Sequence, residues 1–472
     1  MTTLRFHGSA AVLLLPLALF VAVTARLFIS EAAFDLTGLA AAGVLTLFSG
    51  SLLAKSPSEY WKAAVRGASS ELTGTVVLIL IASGIFSAMM KASGVADGLV
   101  FLGGMLHLTG HAFTVFVLLA SSLMAAATGS SIGTLLAAMP IFFPAGVALG
   151  ADPAMLAGAV LSGAIFGDNL APVSDVTVIS SVTQRFRDGT PADIAGVVRT
   201  RLPYAMTALA VSMPVYAFMG ASRPVSEAAL SGDASALLML VPVAVLIAVA
   251  VRTRDVLMAI SAGTVTGTAT GLLIGRLSFA TIFAADDGRL SGFLISGISN
   301  VSPIILLCVT LFAFTGIVRE AGVPDMMAKA LEAGSAGRPS ALRTELFLSA
   351  ATFVVTTLFA AVTSASVALV GSLTDDIGRA SNVHPYRRSH ILSGLANSLP
   401  VLMPFSAFVL ITMAAVSGLE GAAAVTPFTL MTAAFYPIAL FLVFGFMVLT
   451  GTGRMMETPE PEAAEAKTAT AL

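Results

Sequence analysis

Charged residues are scarce in this sequence of 472 residues, in which Asp, Glu, Lys and Arg together make up 11%. Apolar residues make up 57%, and the mean hydropathy is +0.95. These values lie far outside the range of soluble globular domains, so the composition indicates a protein that uses the lipid bilayer as its solvent. The formal net charge of −2 is too small to indicate a nucleic acid or an acidic protein as a partner.

Cysteine is almost absent, and the single Cys308 lies in an apolar run. One thiol excludes a disulfide framework, so we interpret Cys308 as a buried structural residue and expect no redox chemistry. Enzyme signatures are also missing from the sequence, which has no His-Glu-x-x-His zinc motif, no Ser/His/Asp set and no phosphate-binding loop. Nothing in it resembles a selectivity filter. The sequence therefore favours neither an enzyme nor a channel, and it predicts no cofactor.

Long apolar runs are abundant, for example Ser9–Ala25, Gly74–Met90, Ser235–Val251 and Pro427–Thr450. Each approaches or exceeds the roughly 20 residues that cross a bilayer as a helix. The first run lacks a cleavage site followed by a polar domain, so we interpret it as a retained helix rather than a signal peptide. The runs predict an all-α polytopic membrane protein, ending in a disordered tail over residues 451–472.

Two halves of the chain, residues 1–219 and 235–450, resemble each other in order and spacing. The run that starts at Ser9 resembles the run that starts at Ser235, with Pro16 against Pro242 and Arg26 against Arg252. Many transporters are built from two such repeats. We therefore predict two repeats of about five transmembrane helices each.

Lys and Arg indicate the orientation of the repeats, because they concentrate in short cytoplasmic loops. Four segments carry these charges: residues 55–71, 185–201, 319–343 and 379–388. Placing all four in the cytoplasm makes the first run enter the membrane from inside and its counterpart enter from outside. The repeats are then inverted, both termini are cytoplasmic, and the protein is a multi-pass protein of the plasma (inner) membrane.

Each predicted repeat also contains one re-entrant hairpin followed by one broken helix. In the first half the hairpin covers about residues 113–149, and "GDNLAPVSD" interrupts the helix of about residues 153–183. In the second half the hairpin covers about residues 345–377, and "NSLPVLMP" interrupts the helix of about residues 391–416. Broken helices at membrane depth are tolerated only against protein or a water-filled cavity. We expect the two breaks and two hairpin tips to meet near the midplane, although each hairpin can also be interpreted as two full crossings.

Two aspartates, Asp168 and Asp175, lie in the first break. A carboxylate at the centre of the bilayer costs a few kcal/mol, so its default interpretation is functional. Both are therefore candidate proton carriers and candidate sodium ligands. The alternative for either aspartate, and the stronger one for Asp175, is that it caps the helix after the break.

Hydroxyl and amide side chains supply further candidate ligands for an ion or a substrate. These candidates are Asn169, Ser174 and Thr177 at the first break; Thr128, Ser130, Ser131 and Thr134 at the first hairpin tip; Thr363, Ser364 and Ser366 at the second tip; and Asn397 and Ser398 at the second break. Ser and Thr also pack and bond between membrane helices, which is the alternative. We interpret Asp375 and Asp376 as solvated charges, and His107, His111, His384 and His390 as interfacial residues rather than proton carriers.

The stretches "TGSSIGT" and "SGAIFGDNLAPVSDVT" resemble motifs of the NhaC family of sodium/proton antiporters, over about residues 121–181. The resemblance implies cation/proton exchange, with Asp168 and Asp175 in the positions of the two motif aspartates. Asn169 stands where the family usually has lysine and Ala171 where it has serine. The missing lysine lowers the local charge by one, so the stoichiometry or the substrate can differ.

The sequence thus predicts a secondary active sodium/proton antiporter that moves its hairpins and broken helices like an elevator. The alternative is a sodium- or proton-coupled transporter of a small organic acid or amino acid. Neither break contains Lys or Arg, which favours a cation over an organic anion as cargo. By analogy with related transporters we expect a homodimer.

Overall fold

The computed structural model describes residues 4–7, 10–27, 36–221, 233–253, 255–286, 289–323, 326, 340–358, 363–404 and 406–457. Most of the predicted disordered tail, from residue 458 onward, lies outside the described residues. So does Val362 at the tip of the second predicted hairpin.

Ten α-helices occupy the described part of the first half. They are α1 (Leu14–Ala25), α2 (Leu36–Leu53), α3 (Pro57–Ala68), α4 (Glu71–Ser93), α5 (Val95–Met105), α6 (Gly110–Thr128), α7 (Ser131–Ala148), α8 (Pro153–Leu170), α9 (Asp175–Val182) and α10 (Ile194–Met219). Helix α3 differs from its neighbours, because Ser56 caps it, Pro57 begins it, and Tyr60, Ala63 and Ala64 form one buried face.

The described part of the second half is also mainly helical. Its helices are α11 (Leu240–Thr253), α12 (Val256–Leu273), α13 (Phe279–Ile282), α14 (Phe293–Glu320), α15 (Ala341–Leu358), α16 (Thr363–Ala380), α17 (Pro385–Ser398), α18 (Ala407–Val416), α19 (Pro427–Ala433) and α20 (Phe435–Thr450). Strands β1 (Ala284–Asp286) and β2 (Arg289–Ser291) form an antiparallel pair in which Asp286 lies opposite Arg289.

Eight described helices are long and apolar enough to cross a membrane, and two bent helix pairs raise the number to ten if each pair is one span. The chain is therefore a multi-pass helical membrane protein. Helices α6 and α7, the arms of the first predicted hairpin, have 19 and 18 residues and both pass this length test. Their length does not distinguish a re-entrant hairpin from two crossings, so re-entry stays a prediction.

The order hairpin then broken helix occurs in both halves. Helices α6 and α7 precede the broken pair α8 and α9, while α15 and α16 precede the broken pair α17 and α18. The latter pair is bent by 53° at its break. The two repeats and the inversion of one against the other stay predictions.

Two glycines of α8, Gly163 and Gly167, allow this helix to pack closely on α6. A Cβ atom on Gly163 would overlap the Leu118 carbonyl oxygen, and one on Gly167 would overlap the Ser122 carbonyl oxygen. Close backbone contact between small residues is a common way to pack membrane helices. Helix α8 therefore packs tightly on α6, and its C-terminal end is held at a fixed position beside the first hairpin.

Several charges that the sequence predicted in solvated loops are buried in helices. Arg201 is a fully buried residue of α10, and Arg387 and Arg388 are fully buried in the first turn of α17. The prediction that Asp375 is a solvated charge is wrong, because it is buried and forms an ion pair with Arg388 at 2.8 Å. Burial is tolerated here because opposite charges and hydrogen bonds compensate the lost solvation.

The second broken helix begins earlier than predicted. Helix α17 starts at Pro385, with His384 as its N-cap, rather than near Ile391. Proline is favoured in the first turn of a helix because its missing N–H would have had no partner there. The added turns place His390 inside the protein, where its ring is fully buried, so the interpretation of His390 as an interfacial residue is wrong.

Candidate functional site

The first break lies between two buried helices. Helix α8 ends at Leu170 and α9 begins at Asp175, and the connecting turn is closed by a hydrogen bond from Ser174 N to Ala171 O at 3.2 Å. Pro172 lies in this turn and has no backbone N–H to continue the helical pattern. The helix therefore stops here and leaves carbonyl oxygens and helix ends available for contacts.

The tip of the first hairpin packs directly on this break. Gly129 ends α6 with a φ of +68°, and Ser130 caps α7 by accepting a hydrogen bond from Gly133 N at 3.1 Å. A Cβ on Gly129 would lie 2.6 Å from Val173 Cγ2, so a larger side chain would separate the tip from the break. Glycine is required here both for the left-handed conformation and for the close approach.

Asp168 lies in the last turn of α8 and is 5% exposed. The polar neighbours of its carboxylate are the hydroxyls of Ser131 on the hairpin tip and Ser174 on the break, and its charged neighbours are Asp175 and Arg201. Three of the predicted site residues, Asp168, Ser131 and Ser174, are thus brought together. Carboxylate and hydroxyl oxygens are the ligands that hard cations prefer.

Asp175 has a different environment from Asp168. It is exposed and is the first residue of α9, where a negative charge interacts favourably with the helix dipole. The N-cap position itself is held by Ser174, whose side chain makes no capping bond. Burial therefore favours Asp168 over Asp175 as the residue that exchanges ions, and the role of each stays a prediction.

The two breaks contact each other through a pair of asparagines. Asn397 Nδ2 donates to Asn169 Oδ1 at 3.4 Å, and Asn169 Nδ2 donates to the Tyr436 hydroxyl at 3.2 Å. All three residues are buried. Asn169 and Asn397 are the residues that the sequence predicted at the two breaks, so the expected contact between the breaks is present.

Arg201 is a site residue that the sequence reasoning missed. Its Nη1 donates to Asn169 O at 2.7 Å and to Thr177 Oγ1 at 3.1 Å, so α10 supplies a guanidinium to the first break. Neither break itself contains Lys or Arg, but a cation reaches the first break from α10, so the absence of these residues from the breaks does not favour a cation as cargo. Helical periodicity carried the signal, because Arg201 falls between Val197 and Ala205 on the buried face of α10.

The remaining hydroxyls of the first tip bond mainly to their own backbone. Thr128 Oγ1 donates to Met124 O at 3.0 Å and lies 3.3 Å from Thr134 Oγ1. Both threonines line a small, mostly apolar cavity that α11 and α12 complete, with Val256 and Ile260 among its walls. These two residues therefore face the boundary between the first hairpin and the second half.

The second hairpin contributes less to the site. Thr363 and Ser364 begin α16 and are partly buried, and Ser366 is fully buried. Helix α16 packs on α9, where Gly371 lies against Thr183. Ser398 is buried beside Asn397 and bonds to Leu395 O at 3.3 Å. The ligand role predicted for these serines and threonines stays a prediction.

The part of the chain that the structure describes contains no group of three or more His, Cys, Asp or Glu residues arranged to hold a metal ion.

Sequence comparison finds a known family that is similar to the part of the chain that holds this site. Residues 3–221, just under half of the chain, match the sequence model of the "Na+/H+ antiporter family". They include Asp168, the first hairpin tip, the first break and Arg201. The family that matches is one of antiporters, which agrees with the prediction of a transport protein.

Two curated relatives of this antiporter family are similar to parts of the chain. The "Malate-2H(+)/Na(+)-lactate antiporter" of Bacillus subtilis (strain 168) is 31% identical over 176 residues, which are 37% of this chain and 36% of that protein. The "Na(+)/H(+) antiporter NhaC" of Alkalihalophilus pseudofirmus is 40% identical over 104 residues, 21% of this chain and 22% of that protein. The chain thus matches well under two thirds of the length of either relative.

Two solved transporter structures are also similar. The YdaH transporter of Alcanivorax borkumensis has a TM-score of 0.37 and 12% identity, over 83% of this chain and 88% of that one. MtrF of Neisseria gonorrhoeae has a TM-score of 0.39 and 11% identity, over 82% of this chain and 84% of that one. Scores this low carry no statement about shared topology, and the helical architecture is taken from the present structure alone.

Proposed function

We propose that this protein exchanges sodium ions for protons across the membrane, with Asp168 as the group that binds either ion. The observation that carries the proposal is the buried carboxylate of Asp168 between the hydroxyls of Ser131 and Ser174. A carboxylate that can hold a proton or a hard cation, but not both at once, couples the two fluxes by competition. The match of residues 3–221 to the Na+/H+ antiporter family model supports this choice of ions.

Alternating access completes the proposed mechanism. The hairpin tips and the broken helices move together against the other helices, and this movement exposes Asp168 first to one side of the membrane and then to the other. Sodium and protons are cargo, so no cofactor is required. We further propose that the protein lies in the plasma membrane with both termini in the cytoplasm, and that it forms a homodimer.

The test is ion flux in proteoliposomes that contain a pH-sensitive dye. Adding sodium outside should drive protons out of the vesicles without any organic solute, and lithium and potassium serve as alternative cations. Asp168→Asn should reduce the flux at least tenfold, because the amide cannot exchange a proton. Asp188→Asn, an exposed carboxylate in the loop before α10, is the matched control. Sodium-driven flux that persists in Asp168→Asn would disprove the proposal.

Asp175→Asn separates the roles of the two motif aspartates. If Asp168 alone exchanges ions, Asp175→Asn should change the flux less than threefold, because Asp175 is exposed and stabilises the start of α9. If Asp175→Asn loses as much flux as Asp168→Asn, Asp175 also takes part in the ion exchange.

One observation favours a second candidate function, the coupled transport of a small organic acid. Arg201 places a buried guanidinium at the first break, and one relative is named for malate and lactate. In the assay above, this candidate predicts little flux with sodium alone and strong flux once an organic acid is present.

A further inference from the structure

Only one of the three guanidinium nitrogens of Arg201 donates hydrogen bonds to described residues. Nη1 holds Asn169 O and Thr177 Oγ1, whereas Nε and Nη2 have no hydrogen-bond partner among the described residues although the side chain is fully buried. Arg201 forms no ion pair within 4.0 Å with a described residue, although Asp168 is a charged neighbour. Buried donors without partners are costly, particularly on a charged group.

The unused atoms form one edge of the guanidinium. Nε and Nη2 point the same way and together match the two oxygens of a carboxylate. This chain uses that edge for carboxylates elsewhere: Arg387 binds Glu345 through Nε at 3.0 Å and Nη2 at 3.3 Å. Arg454 binds Glu345 through Nε at 3.1 Å and Nη2 at 2.9 Å, and Arg66 binds Glu320 through the same two nitrogens.

Other unpartnered polar atoms belong to the same group of residues. Asn397 Oδ1 is buried without a hydrogen-bond partner among the described residues, and Ser174 Oγ has none there besides the neighbouring Asp168 carboxylate. Asn397 contacts Asn169, whose carbonyl holds Arg201, and Ser174 neighbours Asp168. A hydroxyl and an amide oxygen can bond to a polar substituent of a ligand whose negative charge binds the arginine.

We propose that the Nε and Nη2 edge of Arg201 binds the carboxylate of a small organic acid that the protein transports. The acid occupies the meeting point of the two breaks, with Asn397 and Ser174 near its remaining polar groups and Asp168 beside it holding the proton or the sodium ion. The inference rests on the proposed function, because it adds a second cargo at the same break. The acid must be small, since the surrounding residues Asn169, Asn397 and Tyr436 are buried and in mutual contact.

Binding to the purified full-length protein tests this proposal. The thermal unfolding midpoint is measured in detergent against increasing acetate, lactate and malate at constant sodium and constant ionic strength, with acetamide and lactamide as neutral counterparts of the first two. A carboxylate should raise the midpoint in a saturable way, and its amide counterpart should not. Phosphate is added as an inorganic oxyanion and should compete at least tenfold more weakly than the best carboxylate.

Two arginine variants locate the binding site. Arg201→Lys keeps the charge but removes the two-donor edge, and it should weaken carboxylate binding at least tenfold. Arg199→Lys, on the exposed side of the same helix, should bind as the wild type does. If Arg201→Lys does not fold, the comparison of lactate with lactamide on the wild type still decides whether a carboxylate is recognised.

The proposal is overturned if no carboxylate stabilises the wild type, if an amide stabilises it equally, if phosphate competes as well as the carboxylates, or if Arg201→Lys binds with unchanged affinity. Sodium-driven proton flux without any organic solute is recorded in the same preparations. Flux without carboxylate binding would leave sodium/proton exchange standing and remove the organic acid. Carboxylate binding that Asp168→Asn retains would separate the anion site from the ion-exchange site.

Discussion

Asn169 connects the charged and neutral parts of the site through three contacts. Its carbonyl accepts a hydrogen bond from Arg201, its amide nitrogen donates to Tyr436, and its amide oxygen accepts from Asn397. A lysine at this position, as the resemblance to the NhaC family implies for relatives, would bring a second cation next to Arg201. The neutral side chain at position 169 is therefore compatible with the buried Arg201, whereas a lysine at that position is not.

Two substitutions test whether the positive charge can be moved from position 201 to position 169. Asn169→Lys should reduce transport at least tenfold, because two buried cations repel each other and lose the contacts to Tyr436 and Asn397. Adding Arg201→Gln to that variant should restore part of the flux, whereas Arg201→Gln alone should not raise it. Sodium-driven proton flux in proteoliposomes measures all three variants, and equal flux in the single and double lysine variants would contradict the argument.

His384 gives the start of α17 a dependence on pH. Its Nδ1 accepts a hydrogen bond from Tyr386 N at 3.2 Å. Burial lowers its pKa from the ordinary value of 6.5, Glu457 acts to raise the pKa and Arg388 to lower it. Because folding favours the neutral ring, the contribution to stability is complete above about pH 6.5 and is lost as the pH falls below that value.

The unfolding midpoint should accordingly decline as the pH falls from about 6.5 to about 5. His384→Asn keeps a capping side chain that does not titrate, so this variant should decline less steeply over the same range. His111→Asn replaces an exposed histidine and should keep the wild-type slope. Equal slopes in all three proteins would show that another group controls the pH dependence.

The sequence predicted Asp168, Ser131, Ser174 and Asn397 at the site because a polar residue inside an apolar run stands out. Arg201 was missed because it lies close to Arg199 and to the charged loop before α10, so a count of charges along the sequence assigned it to solvent. The three-dimensional structure distinguishes the two arginines by their burial. Arg199 is exposed, while Arg201 points with Val197 and Ala205 towards the protein interior.

At the scale of elements, the contact between α6 and α8 determines where the first break lies. Gly163 and Gly167 fall one helical turn apart on α8 and let it approach the backbone of α6 at Leu118 and Ser122. Both helices were predictable from their apolar runs. The bounds were less predictable, since the turns that α17 adds before Ile391 depend on buried ion pairs.

Gly167→Ala should destabilise the protein by about 1–3 kcal/mol, because the added methyl group overlaps backbone atoms of α6 that cannot move independently. Gly445→Ala on α20 is the matched control, since nothing lies within 4 Å of its would-be Cβ. That change should be neutral or stabilising by up to about 1 kcal/mol. Unfolding in detergent measures both, and equal stability of the two variants would show that α8 can shift away from α6.

At the scale of the whole molecule, a buried ion pair of the second half, Arg388 with Asp375, is hydrogen-bonded to the first half. Arg388 from the second half donates to Gln184 Oε1 at 2.8 Å and to Arg185 O at 2.6 Å, and Asp375 accepts from Arg185 N at 2.8 Å. The segment that follows α9 is thereby fixed to α16 and α17. These hydrogen bonds therefore connect the end of the first broken helix to the start of the second.

Removing one partner of this cluster should be costly. Asp375→Asn should destabilise the protein by about 3–5 kcal/mol, because it leaves the buried Arg388 without its carboxylate. The double variant Asp375→Leu with Arg388→Met should recover more than half of that loss. Glu59→Gln breaks an exposed pair with Lys62 and should leave the stability nearly unchanged, because solvent screens exposed ion pairs. Denaturant unfolding compares them, and a double variant as unstable as Asp375→Asn would show that the cluster holds the halves by packing rather than by charge.

The single thiol makes this protein suitable for distance spectroscopy. Cys308 is 5% exposed, so a spin label would react slowly with it, and Cys308→Ser removes it altogether. Leu123 on α6 and Val251 on α11 are both exposed and lie at or next to the wall of the cavity between the hairpin and the second half. Cysteines at these two positions would carry a pair of labels, and the distribution of their separations, recorded with and without sodium, would count the inward and outward conformers directly.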